Sequence, residues 1–143
     1  MRNPALTERN TDLALALIRI AAGVIFIAHG YQKLFEFGFG GVTQGFSGMG
    51  IPLPGIAAPF VTLLEFFGGI ALVLGVGTRL VAALFAVEML VALFMVHLKN
   101  GFFLPTGFEF VLILGTVSAG LALAGPGALS VDRALEERRA RRL

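Results

Sequence analysis

Between positions 13 and 131 the chain carries only eight charged side chains, while four crowd into its first twelve residues and eight into its last twelve. Charge swept to the ends leaves long apolar tracts. A membrane-crossing helix needs roughly 20 mostly apolar residues. Four stretches qualify, at about 13–35, 57–76, 80–98 and 108–124. Charged residues make up 14% of the 143, against about 25% in a soluble domain, so the sequence reads as an integral membrane protein. The same balance disfavours a nucleic-acid binder, a coiled coil and a disordered chain. The first apolar stretch is not a secretory signal, because Glu8 and Asp12 precede it, Arg19 interrupts it and it is too long.

The links set the topology. Residues 36–56 are rich in Gly and Phe and carry Pro52 and Pro54, which suggests an apolar loop at or in the outer interface. Residues 75–79 read as a tight turn, with Gly77 as helix stop and Thr78 as N-cap. Ser130 reads as the N-cap of a short amphipathic tail helix, Val131 to Leu143, within a cytoplasmic tail 128–143 near anionic lipid. Arg2, Arg9, Arg79, Arg133, Arg138, Arg139, Arg141 and Arg142 would share one side, which predicts N-in/C-in. The expected fold is all-α: one domain, 1–143, forming an antiparallel four-helix transmembrane bundle.

Ionisable groups inside the hydrocarbon are costly and each one poses a question. Arg19, Gly23, His29, Gly30 and Lys33 fall on one face of the first helix; Glu65 shares a face with Thr62, Gly68 and Gly69. Matching depths predict a structural ion pair of Arg19 with Glu88, and a second layer of His29 with Glu65. Lys33, His97 and Glu109 would form an outer rim, with Lys33 snorkelling. Gly23, Gly30, Gly68 and Gly69 would permit close helix packing. A regular helix turns His97 away from Glu88.

Several chemistries find little support. There is no cysteine, so the chain supplies no disulfide and no thiol relay. Haem ligation by His29 and His97 would need both imidazoles at one depth facing inward, which the helix faces oppose. No metal-ligand spacing is present. The Gly-rich stretch lacks the strand before it and the Lys-Ser/Thr after it that a phosphate loop requires.

Arg19 with Gly23, HGYQKLF (29–35), GIPLPG (50–55), LEFFGGIALVLGVGTRL (64–80), VHLKNGFF (96–103), Gly107 with Glu109, and GPGALSVD (125–132) occur in an order and spacing that resembles the DoxX family of small bacterial inner-membrane proteins. The resemblance covers nearly the whole chain. It implies a four-helix protein of the bacterial inner (cytoplasmic) membrane. Some members of that family are linked to thiosulfate:quinone oxidoreduction, others to oxidoreductase complexes coupled to thiol and superoxide chemistry. More distant relatives assist assembly or export.

Two expectations follow. One is an accessory subunit of a membrane complex linked to quinone oxidoreduction. There His29, Lys33, Glu65, His97 and Glu109 would contact the head group or its protons, and His29 and Glu65 would carry out proton transfer. Quinone would be the cofactor, with electrons supplied by other membrane or redox subunits. The other is a non-catalytic scaffold or assembly factor whose polar core only fixes helix register. Membrane lipid is a partner in both, homo-oligomerisation stays open, and a small-molecule or lipid transporter ranks third.

Overall fold

The computed structural model describes residues 4–142. Arg2, expected on the basic side, and Leu143, expected on the tail helix, lie outside the described residues. The chain runs through α1 (Pro4–Tyr31), a π-helical turn (Gln32–Phe37), α2 (Gly38–Gly48), α3 (Pro54–Leu63), a second π-helical turn (Leu64–Gly68) and α4 (Gly69–Leu74). It continues with α5 (Thr78–Ala92), a third π-helical turn (Leu93–His97), a 3-10 turn (Leu98–Asn100), α6 (Glu109–Ala124) and α7 (Val131–Ala140). No strand occurs among the described residues.

Three helical stretches are long and apolar enough to cross a membrane: Leu6–Gly48 with 43 residues, Pro54–Leu74 with 21 and Thr78–Asn100 with 23. The fourth, α6, is apolar but has 16 residues. Leu17, Phe60, Leu80, Phe94 and Leu123 point outward, whereas Arg19, Thr62, Glu65, Thr78 and Ser118 are buried. This distribution, with polar groups inside and apolar ones outside, suits a lipid solvent.

α1 packs along α4 and the Leu64–Gly68 turn, α5 packs along α6, and contacts of α1 with α6 and of α4 with α5 close the arrangement. Phe26 of α1 and Phe85 of α5 stack at its centre, 3.5 Å between centroids and 6° between planes. Gly23 and Gly69 let α1 and α4 approach: a Cβ on Gly69 would lie 2.8 Å from the Ile27 amide nitrogen and 2.9 Å from the Gly23 carbonyl oxygen. Gly68 faces the Phe85 ring.

Two local readings are corrected. Most of the expected loop 36–56 is helical. Gly38, at φ 66° and ψ 165°, breaks the first rod, and α2 follows, burying Val42 and packing on α3. Glycine costs about 1 kcal/mol in a helix interior, so the packing on α3, rather than local propensity, holds α2. Pro54 then opens α3 at a first-turn position, where its missing N–H costs nothing.

The other correction concerns the 75–78 turn. α4 stops at Gly75, φ 70°, with the Val76 amide donating to the Ala71 carbonyl at 2.8 Å. That geometry needs a left-handed residue, which glycine supplies without a Cβ penalty. Gly77, and not Thr78, then occupies the N-cap position of α5. The cap comes from far away: the Asp132 carboxylate accepts from the Gly77 amide at 2.8 Å and the Thr78 amide at 2.9 Å.

Candidate functional site

Gly30 sets the geometry of the site. A Cβ there would collide with the backbone of Glu65 and Phe66, so α1 meets the Leu64–Gly68 turn almost backbone to backbone. Lys33 follows three residues later, on the same side of the helix. Its Nζ donates to Glu65 Oε2 at 2.5 Å, with side-chain exposures of 20% and 6%. Glu88, from α5, lies within the electrostatic field of Glu65 and Lys33. Glu88 Oε2 is buried without a hydrogen-bond partner among the described residues, as is Thr62 Oγ1, one turn before Glu65.

Depth gives this cluster its interest. Glu65 lies about 16 Å from the start of the Pro54–Leu74 stretch and about 14 Å from its end. Glu88 lies about 15 Å and 18 Å from the ends of Thr78–Asn100. Both carboxyls therefore sit near the middle of their spans. Lys33 and Glu65 each occupy a π-helical turn, as does His97. Such turns insert one extra residue, rotate the following side chains by about 100° and are frequent at functional positions. Aromatic rings flank the pair: Phe35 meets Phe66 edge-on at 5.7 Å, Tyr31 meets Phe35 at 4.9 Å, and Tyr31, Phe35 and Phe67 face outward.

The expected pairings are redrawn. Glu65 is paired with Lys33 and not with His29, so Lys33 is drawn inward rather than snorkelling to the rim. The His29 side chain is exposed, its ring 6.0 Å from that of Phe110. Arg19 makes no ion pair with Glu88 among the described residues. Its Nη1 donates at 2.8 Å to both the Leu72 and Val73 carbonyls, and its Nη2 donates to Leu129 at 3.0 Å and Ala128 at 3.3 Å. Arg19 thus caps the C-terminus of α4, where helical carbonyls lack partners and the helix dipole is negative. Arg79 does the same for α6, donating to the carbonyls of Ala122, Leu123 and Ala124.

The remaining rim residues tie down the 101–108 link. His97 Nδ1 is 3.0 Å from the Thr106 carbonyl, and Glu109 Oε1 accepts from the Leu104 amide at 2.7 Å. Neither His97 nor Glu109 is brought onto Lys33 or Glu65 by these bonds. No group of three His, Cys, Asp or Glu residues suited to a metal ion occurs among the described residues.

The opposite end of the molecule is a web of caps. Ser130 accepts from the Arg133 amide, Arg133 pairs with Asp12, and the Asp132 amide donates to the Gly75 carbonyl. Burial opposes ionisation of Asp132, but the Thr78 and Gly77 amides and the Arg19 charge outweigh it and hold the carboxyl below its usual range. The sequence named Arg19 as inward-facing but missed Asp132 as a capping residue. Its only local signal was an acidic residue in the first turn of α7, where it also suits that helix dipole.

Comparison with known proteins gives one family and several relatives. The DoxX family profile matches residues 14–98. The chain is 33% identical over 125 residues to the Bacillus subtilis protein named "Putative oxidoreductase CatD", covering 87% of this chain and 89% of that one. It is 34% identical over 132 residues to the Escherichia coli inner membrane protein YqjF, covering 89% and 95%. It is also 34% identical over 125 residues to the E. coli inner membrane protein YphA, covering 83% and 88%. No solved structure matches the chain. With three apolar spans and relatives of this kind, the protein is a multi-pass protein of the bacterial inner membrane. A match over residues 14–98, more than half of the chain, together with these full-length relatives, makes it a member of the DoxX family.

Proposed function

We propose that the chain is an accessory subunit of a membrane complex linked to quinone oxidoreduction, with Lys33 and Glu65 at the quinone head group. The observation that carries this reading is the Lys33–Glu65 pair on adjoining π-helical turns within apolar spans. Ionisable groups are retained at such depth mainly for function. The name of the B. subtilis relative, which speaks of an oxidoreductase, agrees with it.

The residues fit a quinone. A head group needs hydrogen-bond donors for its carbonyls and a flat apolar surface for its ring. Lys33 has donors left beyond the one used on Glu65 and is one-fifth exposed. Outward-facing Tyr31, Phe35 and Phe67 beside it supply the apolar surface. When bound, the quinone would supply the two-electron chemistry, with electrons from a partner subunit. The chain would orient the head group through Lys33, keep water out with the aromatic rings and hold a proton at the carboxyls of Glu65 and Glu88. His29, exposed near Phe110, would bring protons from outside the cluster.

In the membrane, α6 would make a fourth crossing and complete an antiparallel four-helix bundle. The end bearing Arg9, Arg79, Arg133, Arg138 and Arg139 would face the cytoplasm, following the positive-inside rule. The test is purification in native lipid with mass spectrometry of lipids and partners. Quinone together with a redox subunit supports the reading. A second reading, a scaffold or assembly factor, draws on the fastening of the basic helix α7 to α1 through Asp12 and Arg133. A ligand-free protein on a non-redox complex would favour it.

A further inference from the structure

The antiparallel helices α5 and α6 match in depth at one end and not at the other. They are registered where Gly115 meets Met89: a Cβ on Gly115 would lie 3.0 Å from the Met89 Cβ. In one direction Arg79 lies ten residues before Met89 and Gly125 ten after Gly115, about 15 Å along each helix. Those ends are level, and Arg79 accordingly bonds the Ala122, Leu123 and Ala124 carbonyls. In the other direction Lys99 lies ten residues beyond Met89, again about 15 Å, whereas α6 begins at Glu109, only six residues before Gly115, about 9 Å. Arg79 and Lys99 are thus about 30 Å apart along the Thr78–Asn100 stretch, the thickness of the hydrocarbon. α6 stops about 6 Å short of the Lys99 level.

The 101–108 link occupies that gap, and its chemistry suits lipid. Phe102, Phe103 and Leu104 are exposed in succession. Irregular backbone in hydrocarbon must find its hydrogen bonds within the protein. Here the Phe108 and Glu109 amides donate to the Gly101 and Phe102 carbonyls, each at 3.0 Å, and the Gly107 amide donates to Phe103 at 2.9 Å. Glu109 Oε1 accepts from the Leu104 amide at 2.7 Å. His97 Nδ1 and Asn100 Nδ2 both reach the Thr106 carbonyl, at 3.0 and 3.3 Å. A carbonyl only accepts, so His97 carries its hydrogen on Nδ1. Pro105 has no amide to satisfy. In water these side-chain bonds would be dispensable, because solvent would replace them.

We propose that the 101–108 link is immersed in the bilayer leaflet opposite Arg79, with Phe102, Phe103 and Leu104 against lipid acyl chains, and that it completes the crossing that α6 is too short to make. His97, Asn100 and Glu109 are the fasteners that make this irregular backbone tolerable in lipid. The inference rests on α6 as the fourth crossing, as proposed above, and is independent of quinone binding.

Spin-label depth measurement tests it. The chain has no cysteine, so Phe103→Cys and Lys99→Cys each give one nitroxide site in the full chain, reconstituted in phospholipid vesicles. Oxygen concentrates in hydrocarbon and a nickel chelate stays in water. The ratio of oxygen to chelate accessibility should be severalfold higher at position 103 than at position 99. An equal or lower ratio at 103 overturns the proposal, whether the bilayer thins to meet α6 or the link awaits a protein partner on that side. Hydroxyl-radical footprinting of the unmodified wild type needs no variant. Phe102 and Phe103 should escape oxidation in vesicles despite their exposure in the isolated chain, and oxidation of both overturns the proposal. A membrane-impermeant thiol reagent separates this failure from that of the four-crossing reading. Labelling of Lys99→Cys and Leu129→Cys from opposite faces keeps α6 as a crossing, so that a water-exposed 103 then rejects the immersed link alone. Labelling of both from one face overturns the two together.

Discussion

Lys33 reaches across from the first membrane-spanning stretch to donate to Glu65 at 2.5 Å, and it does so because Gly30, three residues earlier, brings α1 against the backbone of the Leu64–Gly68 turn. Lys33→Met should therefore destabilise the protein by about 1–3 kcal/mol, the cost of leaving the buried Glu65 carboxyl without its hydrogen-bond donor. Chemical or thermal unfolding in detergent measures it. Glu65→Gln, which keeps the shape and a hydrogen-bond acceptor, should cost less.

Gly30→Ala should place a methyl group into the backbone of Glu65 and Phe66 and cost about 1–3 kcal/mol by overpacking. It should also loosen the Lys33–Glu65 pair without touching either residue. Gly120→Ala is the control. Nothing lies within 4 Å of a Cβ there, and it sits inside α6, so the change should be neutral or stabilise by up to about 1 kcal/mol. Melting temperatures of the two variants side by side decide this.

Arg19 and Glu88 should be energetically independent. Arg19→Met removes four hydrogen bonds to carbonyls and should cost about 2–4 kcal/mol, since charged hydrogen bonds contribute about 1.5–3 kcal/mol each but some carbonyls regain other partners. In a double-mutant cycle with Glu88→Gln, the coupling should stay within about 0.5 kcal/mol. A larger coupling would restore the direct ion pair between them.

Much of this architecture was legible in the sequence. The apolar stretches, the Ser130 cap and the inward face of Arg19 all followed from local pattern. Lys33, Glu65 and Glu88 were singled out as costly groups. Their pairing was not legible, for a physical reason. Face and depth arithmetic assumes 3.6 residues per turn, and the π-helical turns Gln32–Phe37 and Leu64–Gly68 break that phase where Lys33 and Glu65 sit. Capping across long separations hid in the same way. Asp132 caps α5, and Arg19 caps α4, through contacts that no local window contains. α2 was missed because its glycines argue against a helix that packing on α3 enforces.

Asp132 predicts a pH dependence. Its folded pKa is held below the ordinary value of about 3.9 for aspartate. A depressed carboxyl contributes stability that is full above the unfolded pKa and is lost as pH falls through the folded one. Stability between the α4–α5 turn and α7 should therefore fall as pH drops below about 4. Asp132→Asn should remove that part of the dependence and lower stability at neutral pH. Hydrogen exchange at the Gly77 and Thr78 amides, compared between wild type and variant across acid pH, reads it locally.

Direct titration tests the proposed reception of a quinone head group by Lys33 and Glu65. A short-chain quinone is added to the protein in lipid nanodiscs, and binding is followed by calorimetry for wild type and Lys33→Met. Saturable binding at one site in wild type, weakened at least about tenfold by the substitution, is the predicted result, tenfold corresponding to 1.4 kcal/mol. Equal binding by both proteins, or none by wild type, would contradict it and return the Lys33–Glu65 pair to a purely structural role.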